Sequence, residues 1–170
     1  ATLSRAEPDS VTRGFGIRRF DDEGRVLITD HQGIKVLNVY FPNGQSREER
    51  LKYKLDFYEA FLDYCRKLVK KGERLVVCGD YNTAHKEIDI ARPRENESTS
   101  GFLPVERDWM DAWTQAGFVD TFRLVHGDIR DEYSWWSFRS AARERNVGWR
   151  IDYHFVSENL AQAVMDAGIH

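Results

Sequence analysis

The apolar run Leu75-Val76-Val77-Cys78 ends abruptly in Gly79-Asp80-Tyr81-Asn82. Four apolar residues without polar alternation read as a strand buried on both faces, which requires a sheet covered by other layers. Asp80 and Asn82 stand at i and i+2, so both side chains leave the carboxyl end of that strand on one side. Open α/β sheets place their ligands at that end. The same two residue types also begin ordinary turns, so the pair alone leaves a site and a turn both open.

The flanking sequence supplies the other layers. Residues 25 to 41, RVLITDHQGIKVLNVYF, read as a hairpin turning at Asp30-His31-Gln32-Gly33, and Pro42 and Gly44 stop its second strand. Ser46 and Glu49 fit a capping box for a long helix. Its apolar positions are Leu51, Leu55, Tyr58, Leu62, Cys65 and Val69, and Gly72 closes it. Pro104 opens a second helix with Val105, Trp109, Ala112, Trp113 and Ala116 on its buried face, and Gly117 ends it. Asp120, in the short extended piece FVDTFR, suits a cap or a turn. YSWWSF and GWRIDYHFV read as aromatic and β-branched strands. Helices and strands intermix without repeats, so the fold class is α/β with a mixed sheet.

At 170 residues the chain can build one sizeable core and needs no second domain, so residues 1–170 are taken as one unit. Its 41% hydrophobic and 31% charged content argues against disorder. Cys65 and Cys78 lie in apolar surroundings and read as reduced core residues of a cytoplasmic protein. No apolar run is long enough to span a membrane. A net charge of −3 advertises no polyanion partner, although local patches set binding fields. The chain opens ATLSRAEP without Met and closes DAGIH, so both ends are expected to be cut from something longer.

Three segments occur in order: NVYFPNG (38 to 44), GDYNTAHKEIDI (79 to 90) and YSWWSF with NVGWRIDYHFVS (133 to 157). SGFLPVERDWMDAW and GFVDTFR lie between the second and third. Together they resemble the exonuclease III family of abasic-site (AP) endonucleases, in the endonuclease/exonuclease/phosphatase superfamily. The AHKEID and NVGWRIDY wording is closer to the human-type branch. The resemblance implies a four-layered α/β sandwich of two mixed β-sheets flanked by helices, incomplete in this chain. It also implies Mg2+-dependent (or Mn2+-dependent) hydrolysis of the phosphodiester 5′ to abasic sites in duplex DNA, with 3′-exonuclease and 3′-phosphatase activity. The expected partner is duplex DNA, bound by a monomer.

On that resemblance Asp80 holds or deprotonates the attacking water, and with Asn82 it contributes to the metal site. Asn82 donates to the phosphoryl oxygens as negative charge develops. Tyr40, at its strand end, reaches a phosphate, and Asn43 contacts DNA near the cleavage point. Tyr40 alone would read as a half-buried strand tyrosine, and Asn43 as a turn residue. Asp152 interrupts the hydrophobic strand WRIDYHFV, where a carboxylate needs a partner. The family uses it to orient a catalytic His, while an ion pair with Arg150 is the structural alternative. Trp135, Trp149 and Ile151 match an apolar pocket that admits an extrahelical abasic sugar, a place a full nucleotide is too large to take. Trp136 reads as core. Arg139, Arg143, Arg145 and Arg150 make a basic segment suited to phosphate contacts or to a solvated loop.

The family pattern is not complete here. Its N-terminal Asn, its principal Glu metal ligand and its C-terminal Ser-Asp-His, whose His partners the aspartate, have no counterpart in this sequence. Thr29-Asp30-His31 precedes Tyr40 and reads as a hairpin turn rather than a substitute. The expectation is that this chain alone is inactive and poorly folded, with exposed sheet edges and apolar patches. Two rival readings follow: a superfamily phosphodiesterase for RNA-linked, phospholipid or inositol-phosphate substrates, and a noncatalytic DNA-binding relative.

Overall fold

The structure, a computed structural model, describes every residue except 46 and 47. The Ser46 capping box therefore lies outside the described residues. The strands are β1 (Ser10–Arg13), β2 (Val26–His31), β3 (Ile34–Tyr40), β4 (Arg74–Asp80), β5 (Phe118–Asp120), β6 (Trp135–Trp136), β7 (Gly148–Trp149) and β8 (Asp152–Ser157). The helices are α1 (Arg18–Asp21), α2 (Glu48–Lys70), α3 (Pro93–Asn96), α4 (Pro104–Gln115) and α5 (Thr121–His126).

Six strands form one mixed sheet in the order β1-β2-β3-β4-β8-β5, and β6 pairs with β7 in a second, two-stranded sheet. Strands β2 and β3 are joined by Gln32 and Gly33, both at positive φ, as a tight two-residue hairpin requires. Helix α2 carries the chain across to the only parallel pairing among the described residues, β3 with β4. The mixed α/β class is thus as the patterning of the sequence implies.

Register decides which side chains share a face. Leu37, Val77 and Phe155 lie side by side across β3, β4 and β8, and all three are buried. They pack against Phe57, Phe61 and Cys65 of α2 and against Trp109 and Trp113 of α4. Burying each such large apolar side chain contributes roughly 1.5–3 kcal/mol. Val105 of α4 proves exposed rather than buried, because Glu106 takes the inward position beside it.

The opposite face carries Val36, Val76 and Cys78, all only half-buried. The apolar run of β4 is therefore fully covered on one side alone, which corrects the expectation of two buried faces. Segment 163–170, Val76, His154 and Val156 line one hollow on this side.

Two further departures concern the C-terminal strands. YSWWSF contributes only Trp135 and Trp136 to strand structure, and GWRIDYHFV is split at Arg150 and Ile151 into β7 and β8. Asp120 settles as the cap of α5, its Oδ1 accepting from the backbone N–H groups of Phe122 and Arg123.

Candidate active site

One rung of the sheet gathers three of the residues singled out in the sequence. Tyr40 pairs with Asp80, and Asp80 pairs with Asp152, across β3, β4 and β8. This rung lies at the end of the sheet where β3 and β4 finish, on the face opposite the helices. Gly79 makes the approach possible. Its φ is +135°, and a Cβ there would stand 2.0 Å from the Val39 carbonyl oxygen.

Tyr81, next along, is fully buried and stacks on Phe41 with ring centroids 4.2 Å apart. With Tyr81 held in the core, Asp80 and Asn82 emerge on the far side. Asn82 has φ +51°, a left-handed conformation that asparagine accepts more readily than most residues. Its backbone N–H donates to Asp80 Oδ1 at 2.7 Å. Its amide Nδ2 donates to the Phe41 carbonyl at 2.9 Å and to Asp80 Oδ2 at 3.2 Å. Asn43 Nδ2 donates to Asn82 Oδ1 at 3.0 Å. The two asparagines and Asp80 form one continuous hydrogen-bonded unit.

Burial raises the Asp80 carboxyl from its ordinary value to about 6, and the facing Asp152 adds to the rise. The Asn82 N–H and the nearby Lys54 charge oppose it. Asp152 itself is exposed at the first position of β8, not buried mid-strand as the hydrophobic context suggests. It pairs with Ser134, whose Oγ donates to Asp152 Oδ2 at 2.8 Å and accepts from the backbone N–H of Asp152 at 3.0 Å. Ser134 carries no signal of this role in the sequence.

Asp80 and Asn82 open onto a cavity of about 390 Å³ that Tyr40, Asn43, Trp135, Trp149 and Ile151 also line, whereas Asp152 borders the neighbouring hollow beside segment 163–170. Trp135 and Trp149 face each other across the small sheet, ring centroids 6.4 Å apart and nearly perpendicular. Gln45, Ser100, Gly101 and Ser137 complete the wall, and nothing in the sequence pattern marks them for it. Gly101 has a recognisable reason to be there. Its φ is +102°, and a Cβ would come within 3.1 Å of the Trp149 ring and 3.3 Å of the Asn82 carbonyl.

Arg150 is a correction. It is 1% exposed and does not reach the cavity. Its Nε donates to Asp89 Oδ1 and its Nη2 to Asp120 Oδ2, both at 2.8 Å. It neither contacts solvent as a DNA ligand would nor pairs with Asp152. Two acidic partners outweigh its burial and hold its guanidinium charged. Arg139, Arg143 and Arg145, by contrast, are exposed. Asp30 and His31 lie at the far end of the sheet, Asp30 bound to Lys35 and His31 to Thr29, as a hairpin end rather than a catalytic pair.

The Asn82 amide nitrogen, not its oxygen, faces Asp80, and its oxygen accepts from Asn43. Among the described residues no group of three or more His, Cys, Asp and Glu side chains comes together. Asp80 and Asp152 put two carboxylates on one rung, and Mg2+ is commonly held by one or two carboxylates together with waters and substrate phosphate oxygens, so the pair fits part of such a site.

Comparison with known proteins gives this geometry a context. The family described as Endonuclease/Exonuclease/phosphatase matches residues 1–170. An exodeoxyribonuclease from Bacillus subtilis (strain 168) is 43% identical over 169 residues, covering 99% of this chain and 67% of that protein. The DNA repair nuclease APEX1 of Danio rerio is 37% identical over 169 residues, covering 99% of this chain and 54% of that protein. The solved structure of the 3′ phosphatase NExo from Neisseria, bound to a product DNA hairpin, superposes with a TM-score of 0.86 at 30% identity. That match covers 94% of this chain and 62% of NExo. The chain thus spans between about half and two thirds of the length of these relatives. With the sheet order, the Tyr40-Asp80-Asp152 rung and a family match along its whole length, this chain belongs to the endonuclease/exonuclease/phosphatase family.

Proposed function

We propose that the cleft hydrolyses DNA phosphodiesters, cutting 5′ to abasic sites in duplex DNA with the aid of Mg2+ or Mn2+, and that it also trims 3′ ends as an exonuclease and phosphatase. The single observation that carries this reading is the convergence of a raised carboxylate, an amide donor and a two-tryptophan wall on one cavity. The names of the relatives, a nuclease of DNA repair and a DNA-bound phosphatase among them, support the same substrate class.

Each residue has a part to play on this reading. Asp80, ionised at neutral pH, takes the proton of the attacking water. Asn82 gives up its long contact with Asp80 Oδ2 and donates instead to a phosphoryl oxygen, while its bond to Phe41 keeps the amide in place. Asn43 fixes the amide orientation from the other side. The Tyr40 phenol, half-exposed, reaches the phosphate, and Asp152, held by Ser134, faces Asp80 across the sheet and makes its carboxylate a stronger base. A sugar lacking its base enters between Trp135, Trp149 and Ile151, where a full nucleotide would collide with the wall. The divalent ion would neutralise charge on the phosphate. Asp80 and Asp152 would hold it together with water and substrate oxygens, and no step here is assigned to it.

Incision of a duplex carrying one abasic-site analogue tests the proposal, using the full-length protein with Mg2+ and with chelator, beside Asn82→Ala. The expected result is chelator-sensitive cleavage that falls by about 10²–10³ in the variant. DNA binding without cleavage would replace this reading with the noncatalytic one.

A further inference from the structure

Behind the cavity, Lys54 of α2 and Glu106 of α4 form an ion pair with Nζ–Oε1 2.6 Å and both side chains 0% exposed. Neither lines the cavity, and both occupy interior volume beside Phe57, Tyr58 and Trp109 that apolar side chains of the same size could fill. Burying an ion pair rarely stabilises a fold relative to apolar residues of the same size, so its presence calls for another reason.

The other bonds of the pair supply one. Besides Glu106, Lys54 Nζ donates to the Asn82 carbonyl at 2.7 Å and to Thr83 Oγ1 at 2.9 Å. An ammonium has three N–H donors, and all three are used. Glu106 in turn accepts from Ser100 Oγ at 2.8 Å and from the backbone N–H groups of Gly101 and Leu103 at 2.5 and 3.1 Å. Ser100 and Gly101 are cavity wall, and Gly101 approaches both Trp149 and the Asn82 carbonyl. The pair therefore clamps the left-handed backbone of Asn82 on one side and the wall segment on the other.

We propose that Lys54 and Glu106 are positioning residues that hold the phosphoryl donor Asn82 and the sugar-pocket wall at Ser100-Gly101 in one fixed relation. This rests on the reading of Asn82 as a donor to the phosphate. Substrate phosphate would pull the Asn82 amide away from Asp80, and the Lys54 anchor on its carbonyl keeps the backbone from following. Displacements of about 1 Å at such a group cost on the order of 10²-fold in rate, so the anchor acts on kcat rather than on binding.

The test compares the full-length protein with Lys54→Met, Glu106→Gln and the double variant. Each single change strands a buried polar partner and is expected to lower stability, whereas the double change removes both charges and restores much of it. Hydrogen exchange is followed at the backbone amides of residues 82–84 and 101, and incision kinetics are followed on abasic DNA. In the folded double variant those amides are expected to exchange about tenfold faster or more, with β3 and β4 unchanged. kcat is expected to fall about 10- to 100-fold with KM nearly constant. Unchanged exchange at these amides, or a kcat that recovers together with stability, would overturn the proposal and leave a merely structural pair. Should the unsubstituted protein fail to incise, the functional reading fails by itself, and exchange alone decides on the clamp.

Discussion

The raised Asp80 carboxyl ties the chemistry of the cleft to the stability of the fold. Its pKa rises from an ordinary 3.8 to about 6, about 3 kcal/mol of penalty on the ionised form. A raised acid favours the folded state while it is protonated. Below the unfolded value near 4 both states hold the proton and no penalty exists. Between about 4 and 6 the unfolded chain ionises first, so stability drains away as pH rises, and above about 6 the full cost is present. Asp80→Asn removes the titration. Its stability relative to the unsubstituted protein is therefore expected to improve by about 2–3 kcal/mol between pH 4 and pH 8.

The comparison between pH values matters more than either value alone. At pH 4 the folded Asp80 is protonated, so the change there is acid for amide, and whatever offset that carries accompanies the variant at every pH. Urea unfolding with chelator present, at pH 4 and at pH 8, isolates the titrating part, because groups remote from Asp80 contribute equally in both proteins. Asp152 and Lys54 are the charged groups acting on Asp80, and the first raises its pKa while the second lowers it. Parallel stability curves for the two proteins would refute the burial argument. A variant that loses ground as pH rises would show that Asp80 is stabilised in its charged form.

Two further outcomes separate the arginines. Arg150→Met removes the buried cation between Asp89 and Asp120, leaving Asp89 to Arg123 and Asp120 to its helix-cap bonds, and is expected to cost roughly 3 kcal/mol by chemical denaturation, without altering the salt dependence of DNA binding. Replacing exposed Arg139, Arg143 and Arg145 together by Ala should leave stability within about 1 kcal/mol. If all three contact phosphate, the slope of log K against log salt falls by about 2–3; an unaltered slope would make them a solvated loop.

How far the sequence reveals this site depends on distance along the chain. The i, i+2 spacing of Asp80 and Asn82 is local, and so is the strand end at Tyr40. That the three strands carrying Tyr40, Asp80 and Asp152 are neighbours is a fact of sheet order, and only the motif resemblance points to it. Arg150 and Asp152 fail for a physical reason. Alternation along WRIDYHFV assumes one continuous strand, and the break at Arg150 and Ile151 ends that periodicity. It frees Arg150 to turn inward, towards acids 61 and 30 residues upstream, and sets Asp152 at an exposed strand start. Lys54 is hidden differently. A lysine on an amphipathic helix reads as solvated, and a glutamate in the first turn of α4 reads as a favourable charge at a helix start. Nothing local says that the two point at each other.

Asn82 bears most directly on what such reading can achieve. A turn residue and a functional residue are alternatives on local grounds, yet the structure joins them. The left-handed φ that makes asparagine a good turn former is what carries its amide from the strand end back over Asp80. The buried Tyr81 before it fixes where the turn starts, and the Lys54 contact on its carbonyl fixes where it points. A glycine at position 82 would make the same turn and present no amide, whereas a glutamine would present one but accept the left-handed backbone less readily. Asparagine alone among the amides meets both demands comfortably, so at this position the turn is not a competing explanation of the residue but the means by which its side chain reaches the cavity.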